Sequence, residues 1–191
     1  YMSKITYESV LIIGMGLIGS SIARVLKEKK ISNKIFALDK DDNVINISRN
    51  LNLVDEIEND LNQYKDQFDI IFICTPLSSY KNIFDQLNKY ITKKTLLTDV
   101  GSTKVSVIRD FKQSVNNKKI FFVPAHPIAG LEKSGPEYGL AKLFENRYCI
   151  LTPIDENDGL TKSISNIWKS FGMIIEIMEP TRHDRVLAMT S

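Results

Sequence analysis

Cysteine and histidine are scarce in this chain, two of each in 191 residues, and there is a single tryptophan. Cys74 and Cys149 each lie in an apolar, strand-like run, with no Cys or His partner at metal-ligand spacing. That pattern argues against a zinc site and against a disulfide framework, and it predicts two reduced thiols in a cytoplasmic protein with no bound metal. No apolar signal core opens the sequence, and no apolar run approaches the roughly 20 residues that a membrane helix needs. Charge of one sign is not in excess either: 25 Lys and Arg face 23 Asp and Glu, for a formal charge of +2. The short basic clusters, KEKK at 27–30 and KK at 93–94 and 118–119, are broken by apolar or acidic residues. They read as solvated faces, so neither nucleic acid nor membrane is an expected partner. Tyr1, ahead of Met2, reads as a remnant of an expression tag.

What the chain does have is alternation. Apolar runs at 9–15, 34–39, 68–76, 95–102 and 119–127 read as strands, and amphipathic stretches at 17–30, 41–51, 78–91 and 103–115 read as the helices between them. Strand–helix repetition predicts a doubly wound, Rossmann-type α/β fold, with a mainly parallel sheet covered on both faces. After 127 the rhythm loosens into strands at 147–153 and 173–178 around a helix at 159–171, whose Trp168 and Phe171 are expected to cover the sheet. A last helix begins after Pro180, and the sequence stops inside it without a glycine stop or a polar tail. The expected organisation is a dinucleotide-binding unit over 2–178, followed at 180–191 by the first helix of a helical domain that is cut off.

The first strand runs into GMGLIG, with Gly14, Gly16 and Gly19, and Asp39 closes the second strand 20 residues after Gly19. A strand before, a helix after and an acid at that distance are the conditions under which this spacing means dinucleotide binding. Gly14 allows a tight turn, Gly16 lets backbone approach a pyrophosphate, and Gly19 lets helix and strand pack closely. The helix start at Leu17 and Ile18 offers backbone N–H groups to phosphate. Asp39 suits the ribose hydroxyls and opposes a 2′-phosphate, which predicts NAD as the cofactor. The competing reading is that the three glycines serve helix–strand packing alone.

Ligands of open α/β sheets bind beyond the carboxyl ends of the strands. Three segments fall there: CTPLSS with Thr75 and Pro76, TDVGSTK with Gly101 and Ser102, and PAHPIAG with His126. Thr75–Pro76 is either a plain turn or a contact to the cofactor ribose. Ser102 either caps the following helix or presents its hydroxyl to a substrate ring. His126 stands between Pro124 and Pro127, in backbone stiffened on both sides. A neutral imidazole there is placed as a general base for an alcohol whose carbon loses a hydride. His183, beside Asp184 near a helix start, reads as structural.

GMGLIGSS, DVGSTK, HPIAGLEKSGPE, LFENRYCILTP and HDRVLAMTS stand in the order and approximate spacing of the prephenate/arogenate dehydrogenases of tyrosine biosynthesis. The chain resembles that family over essentially its whole length, most specifically through HPIAG…SG. The resemblance implies NAD-dependent oxidative decarboxylation of prephenate or arogenate. It implies that His126 polarises the ring hydroxyl, that Ser102 orients it, and that Gly14, Gly16, Gly19 and Asp39 hold the cofactor. Glu132 matches an acidic position at the mouth of the site, and Leu131 replaces a Thr or Ser of the family pattern. In the family a helical domain after MTS forms a homodimer and supplies an arginine for the substrate carboxylate. The chain is therefore expected to bind NAD but to turn over prephenate poorly or not at all, with an adhesive VLAMT segment. Two other readings stay open: a dehydrogenase of the β-hydroxyacid type, and a non-catalytic dinucleotide sensor.

Overall fold

The computed structural model describes residues 6–155 and 158–190. The expected unit start at residue 2, Tyr1 and the terminal Ser191 lie outside them. The chain opens β1 (Tyr7–Ile13), α1 (Leu17–Glu28), β2 (Ser32–Leu38), α2 (Asp42–Asn50) and β3 (Glu56–Glu58). It continues through β4 (Ile70–Ile73), α3 (Tyr80–Tyr90), β5 (Thr95–Asp99), α4 (Val105–Ser114) and β6 (Ile120–Phe122). These six strands form one parallel sheet in the order β3-β2-β1-β4-β5-β6. The chain leaves the centre at β1 and returns beside it at β4, the arrangement that opens a crevice at the carboxyl ends of those two strands.

β4 and the second half of β1, Val10–Ile13, are apolar at every position because both faces are covered. In β1, Val10 and Ile12 enter the core under α1, whereas Leu11 and Ile13 enter the core under α3 and α4; Ile70 and Phe72 are divided from Ile71 and Ile73 in the same way in β4. β3 was not expected, since its Glu-Ile-Glu buries only Ile57 and gives no apolar run.

The run at 119–127, read as one strand, is two. β6 ends the main sheet, and β7 (Ala125–Pro127) begins a second sheet, β7-β8-β9, with β8 (Tyr148–Leu151) antiparallel to β7 and β9 (Ile174–Ile177) parallel to β8. The cause is Pro124, which has no N–H to carry a ladder through. Val123 N–H still donates to Leu97 of the main sheet at 3.0 Å, whereas the Pro124 carbonyl already accepts from Thr152 at 3.0 Å. Between β8 and β9, α5 (Asp158–Ser170) lays Trp168 edge-on to Phe72, ring centroids 5.5 Å apart, with Phe171 beside it, so these two rings do cover the sheet. α6 (Pro180–Thr190) starts with proline at its first position, where a missing N–H costs nothing. It buries His183 and leaves Val186 and Met189 exposed. Among the described residues no helix is long and apolar enough to cross a membrane.

Candidate active site

At the carboxyl ends of β1, β2 and β4 lies a cavity of about 860 Å³, walled by Gly14, Gly16, Asp39, Thr75 and Pro76 among others. The three glycines of the loop do different work. Gly14 has φ +98°, and a Cβ there would also lie 2.8 Å from the Cys74 carbonyl. A Cβ on Gly19 would fall 1.9 Å from the Gly14 oxygen, so α1 sits against the turn only because that atom is missing. A Cβ on Gly16 would meet nothing within 4 Å: the fold does not need this glycine, and the space beside it is open to a ligand. Leu17 and Ile18 form the first turn of α1, ahead of the helix bond from Ser20 N–H to the Gly16 carbonyl, and their side chains do not wall the cavity. Asp39 is fixed across the cleft by Met15 N–H at 2.8 Å and Asp41 N–H at 3.0 Å, one to each carboxylate oxygen. Each oxygen keeps a second lone pair for a hydroxyl donor. The Thr75 hydroxyl is buried in the cavity wall with no partner among the described residues.

A second cavity, of about 640 Å³, is walled by Ser102, His126, Arg147 and Asp184, with Leu187 and Thr190 of α6. His126 is half-buried in the middle of β7, paired with Ile150 of β8, so strand pairing holds it as well as the flanking prolines. Ser102 is exposed on the same wall. It does not cap α4. That role falls to Asp184 of α6, whose carboxylate accepts from Lys104 N–H at 2.8 Å and Val105 N–H at 3.1 Å. Arg147 immediately precedes β8 and forms no ion pair among the described residues, which leaves its guanidinium without an acidic partner there on this wall. Two expected contacts are not brought together with these. Glu132 is exposed on the loop after β7 and walls neither cavity, and neither does its neighbour Leu131. Gly101 is buried and walls neither cavity; a Cβ there would lie 2.9 Å from Asp99 Oδ2, to which its N–H donates at 2.9 Å. A side chain there would crowd the buried Asp99 carboxylate.

Beneath His126 is a fully buried ion pair. Lys104 Nζ donates to Asp99 Oδ2 at 2.6 Å and to the Ala125 carbonyl at 2.6 Å, and Asp99 Oδ1 accepts from Ala125 N–H at 3.0 Å. Both sides of the residue preceding His126 are thereby fastened. Tyr80 also donates to Asp99 Oδ2, at 2.9 Å. Burial pulls the Lys104 pKa down against the raising effect of Asp99, and burial with the Asp99 charge pushes the Tyr80 phenol well up.

The residue that sequence reading placed outside the site is His183. It is fully buried, with Nε2 2.8 Å from His126 Nδ1 and Nδ1 2.7 Å from Asp184 Oδ1. The available signal was the scarcity of histidine itself, together with an aspartate next in sequence. Burial, reinforced by His183 and Lys104, lowers the His126 pKa from 6.5 to about 4, against the opposing pull of Asp99 and Asp184. Burial works against ionising Asp184, but the His183, Lys104 and Val105 donors outweigh it and hold its pKa below the usual carboxylate range. Among the described residues no group of His, Cys, Asp and Glu is placed to hold a metal ion.

Comparison with known proteins adds the following. The prephenate dehydrogenase nucleotide-binding domain matches residues 22–177. The chain is 34% identical over 186 residues to a cyclohexadienyl dehydrogenase of Zymomonas mobilis, covering 97% of this chain and 63% of that protein. It is 31% identical to a prephenate dehydrogenase of Bacillus subtilis, covering 96% of this chain and 50% of that protein. A solved prephenate dehydrogenase of Aquifex aeolicus, in complex with hydroxyphenyl propionate and NAD+, superposes with a TM-score of 0.86 at 31% identity, over 94% of this chain and 62% of that one. An arogenate dehydrogenase of Synechocystis superposes with a TM-score of 0.85 at 25% identity, over 96% of this chain and 64% of that one. The chain thus spans about half to two-thirds of the length of these relatives.

Two predictions follow from the geometry. Gly19→Ala is expected to cost about 3 kcal/mol or more in chemical denaturation, because backbone must move. Gly16→Ala is expected to change stability by less than about 1 kcal/mol while weakening nucleotide binding, measured by fluorescence titration, about tenfold or more. Comparable losses of stability in both variants would contradict this division of roles. Second, the His126 ring is expected to titrate near pH 4 in an NMR pH series, not near 6.5. The sign is fixed: between those values the unfolded chain binds a proton that the native ring refuses, so native stability falls as the pH drops through that window.

Proposed function

The chain belongs to the prephenate dehydrogenase family, and on that premise we propose that it binds NAD in the glycine-loop cleft. We propose further that the whole protein oxidatively decarboxylates prephenate to 4-hydroxyphenylpyruvate, or arogenate to tyrosine. The observation that carries the reading is the pair of cavities: a cleft at the carboxyl ends of β1, β2 and β4, and a second one walled by a half-buried histidine and a free serine hydroxyl. The residues of the cleft fit a dinucleotide on three counts. Space beside Gly16 is open where a pyrophosphate would pass, the Thr75 hydroxyl is buried without a partner among the described residues, and Asp39 is held with lone pairs to spare. Asp39 also opposes a 2′-phosphate, which favours NAD over NADP.

In this reading the NAD bound in the cleft supplies the acceptor for the hydride that leaves the ring carbon bearing the hydroxyl. His126 takes the hydroxyl proton, and its depressed pKa keeps the ring neutral, and so able to accept, at physiological pH. Ser102 hydrogen-bonds the same hydroxyl and fixes its direction toward the imidazole. Loss of CO₂ then makes the ring aromatic and the reaction irreversible. Arg147, the cation on the wall, suits a substrate carboxylate through its planar fork of donors. The division into a nucleotide-binding unit through 178 and a helical domain begun by α6, a homodimer of the whole protein, and a cytoplasmic location are parts of the same proposal. Its support is the family, the span of 63% of the Zymomonas protein's length and two free thiols.

In the full-length protein, His126→Asn is expected to lower kcat by roughly 10²- to 10⁴-fold with prephenate and NAD, the usual worth of a positioned base. Undiminished turnover by that variant would refute the assignment. Arg147→Gln is expected to raise the prephenate KM about tenfold, equivalent to ~1.4 kcal/mol of binding, with kcat and the NAD KM little changed. A KM equal to the parent's would remove Arg147 from substrate binding.

A further inference from the structure

The contact between His183 and Asp184 determines which nitrogen of His126 is free. An ionised carboxylate only accepts, so the 2.7 Å contact puts a proton on His183 Nδ1. A neutral His183 then carries its lone pair on Nε2, which faces His126 Nδ1 at 2.8 Å. His126 must donate there. Its own lone pair is therefore on Nε2, the nitrogen left for a ligand in the cavity it walls. The tautomers are assigned here from the bonding pattern.

We propose that Asp184, His183 and His126 form a proton relay, in which His183 positions His126 and accepts the proton that His126 gives up as it deprotonates the substrate hydroxyl. The inference rests on the alcohol oxidation proposed above. In the step, the substrate O–H bond breaks as an N–H bond forms at His126 Nε2. The His126 Nδ1–H bond breaks as an N–H bond forms at His183 Nε2. The electron pair of the C–H bond leaves as hydride to the nicotinamide dinucleotide, the oxidant of the reaction. Positive charge comes to rest on His183 against Asp184, not on His126.

The surroundings give the relay its direction. His126 is faced by the Lys104 ammonium from the start of α4 and by His183 from α6, and both, with burial, oppose a lasting charge on it; Asp99 of β5 and Asp184 act the other way but do not prevail. His183 is buried and touches the carboxylate directly. That carboxylate is in turn immobilised by the Lys104 and Val105 N–H groups, so no reorganisation is needed when charge arrives. Histidine pairs of this kind suit proton shuttling because each ring has two distinct nitrogens.

The test has two arms, both on the full-length protein. Nitrogen-15 NMR of labelled histidine reads the resting tautomer without substrate: a protonated Nδ1 and bare Nε2 on His126 are expected, and the reverse overturns the proposal. In the second arm His183→Gln keeps an amide oxygen able to accept from His126 but cannot take up a proton. Single-turnover hydride transfer is expected to slow by about 10- to 10²-fold, less than removal of the base itself, with the substrate KM unchanged. The dependence of that rate on deuterium fraction is expected to change from curved, for two protons in motion, to linear. A parental rate with a curved dependence overturns the relay. Should His183→Gln fail to fold, the tautomer measurement on the parent decides alone. Should the parent not oxidise prephenate or arogenate at all, the proposed reaction fails, and the NMR arm still decides whether the three residues are wired as stated.

Discussion

Everything at the candidate active site leans on the buried pair of Asp99 and Lys104. Asp99 ends a central strand of the main sheet and Lys104 precedes the next helix, so the pair bridges the loop that carries Ser102. The same two side chains grip the N–H and the carbonyl of Ala125, the residue before His126. A pair with no solvent access gives little net stability by itself, but removing either partner strands the other and typically costs about 3–5 kcal/mol. Its value here is positional. The ring of His126 belongs to the small sheet, the loop of Ser102 to the large one, and the pair sets the distance between them. The surroundings also silence the nearby thiols: burial, with the Asp99 charge, pushes the Cys74 and Cys149 pKa values far up, which leaves both cysteines as packing residues.

The second consequence of the architecture comes from Pro124. Had the run at 119–127 continued as one strand, His126 would have extended the main sheet at its edge. The break turns the chain into pairing with β8, and Arg147, the residue just before β8, stands on the same cavity wall. One residue without an N–H thus ends the main sheet and starts the strand that walls the second cavity.

Much of this was legible in the sequence because the signals are local. Continuous apolar runs give strands covered on both faces, and the glycine loop could be read position by position since each glycine answers a steric question within a few residues of itself. Asp39 was legible for the same reason, although its bonds to Met15 and Asp41 show that it also shapes the loop. What could not be read is contact between distant segments. His126 and His183 lie 57 residues apart, and Asp184 caps a helix that starts 79 residues before it. No periodicity reports such pairings, so Ser102 was credited with a possible cap that Asp184 provides, and His183 was set aside as structural. β3 was missed because three residues with one buried isoleucine carry no pattern. Gly101 and Glu132, close in sequence to Ser102 and His126, wall neither cavity.

The capping of α4 by Asp184 also has a bearing on how the molecule is made. A ribosome delivers the glycine loop, Asp39 and Thr75 early, and the nucleotide cleft needs nothing from α6. The imidazole of β7, by contrast, stays without its hydrogen-bonded neighbour until the chain has grown past Asp184 and the last helix has docked. All the residues that wall the first cavity therefore precede the last helix in the chain, whereas the His126–His183 contact is completed only by that helix.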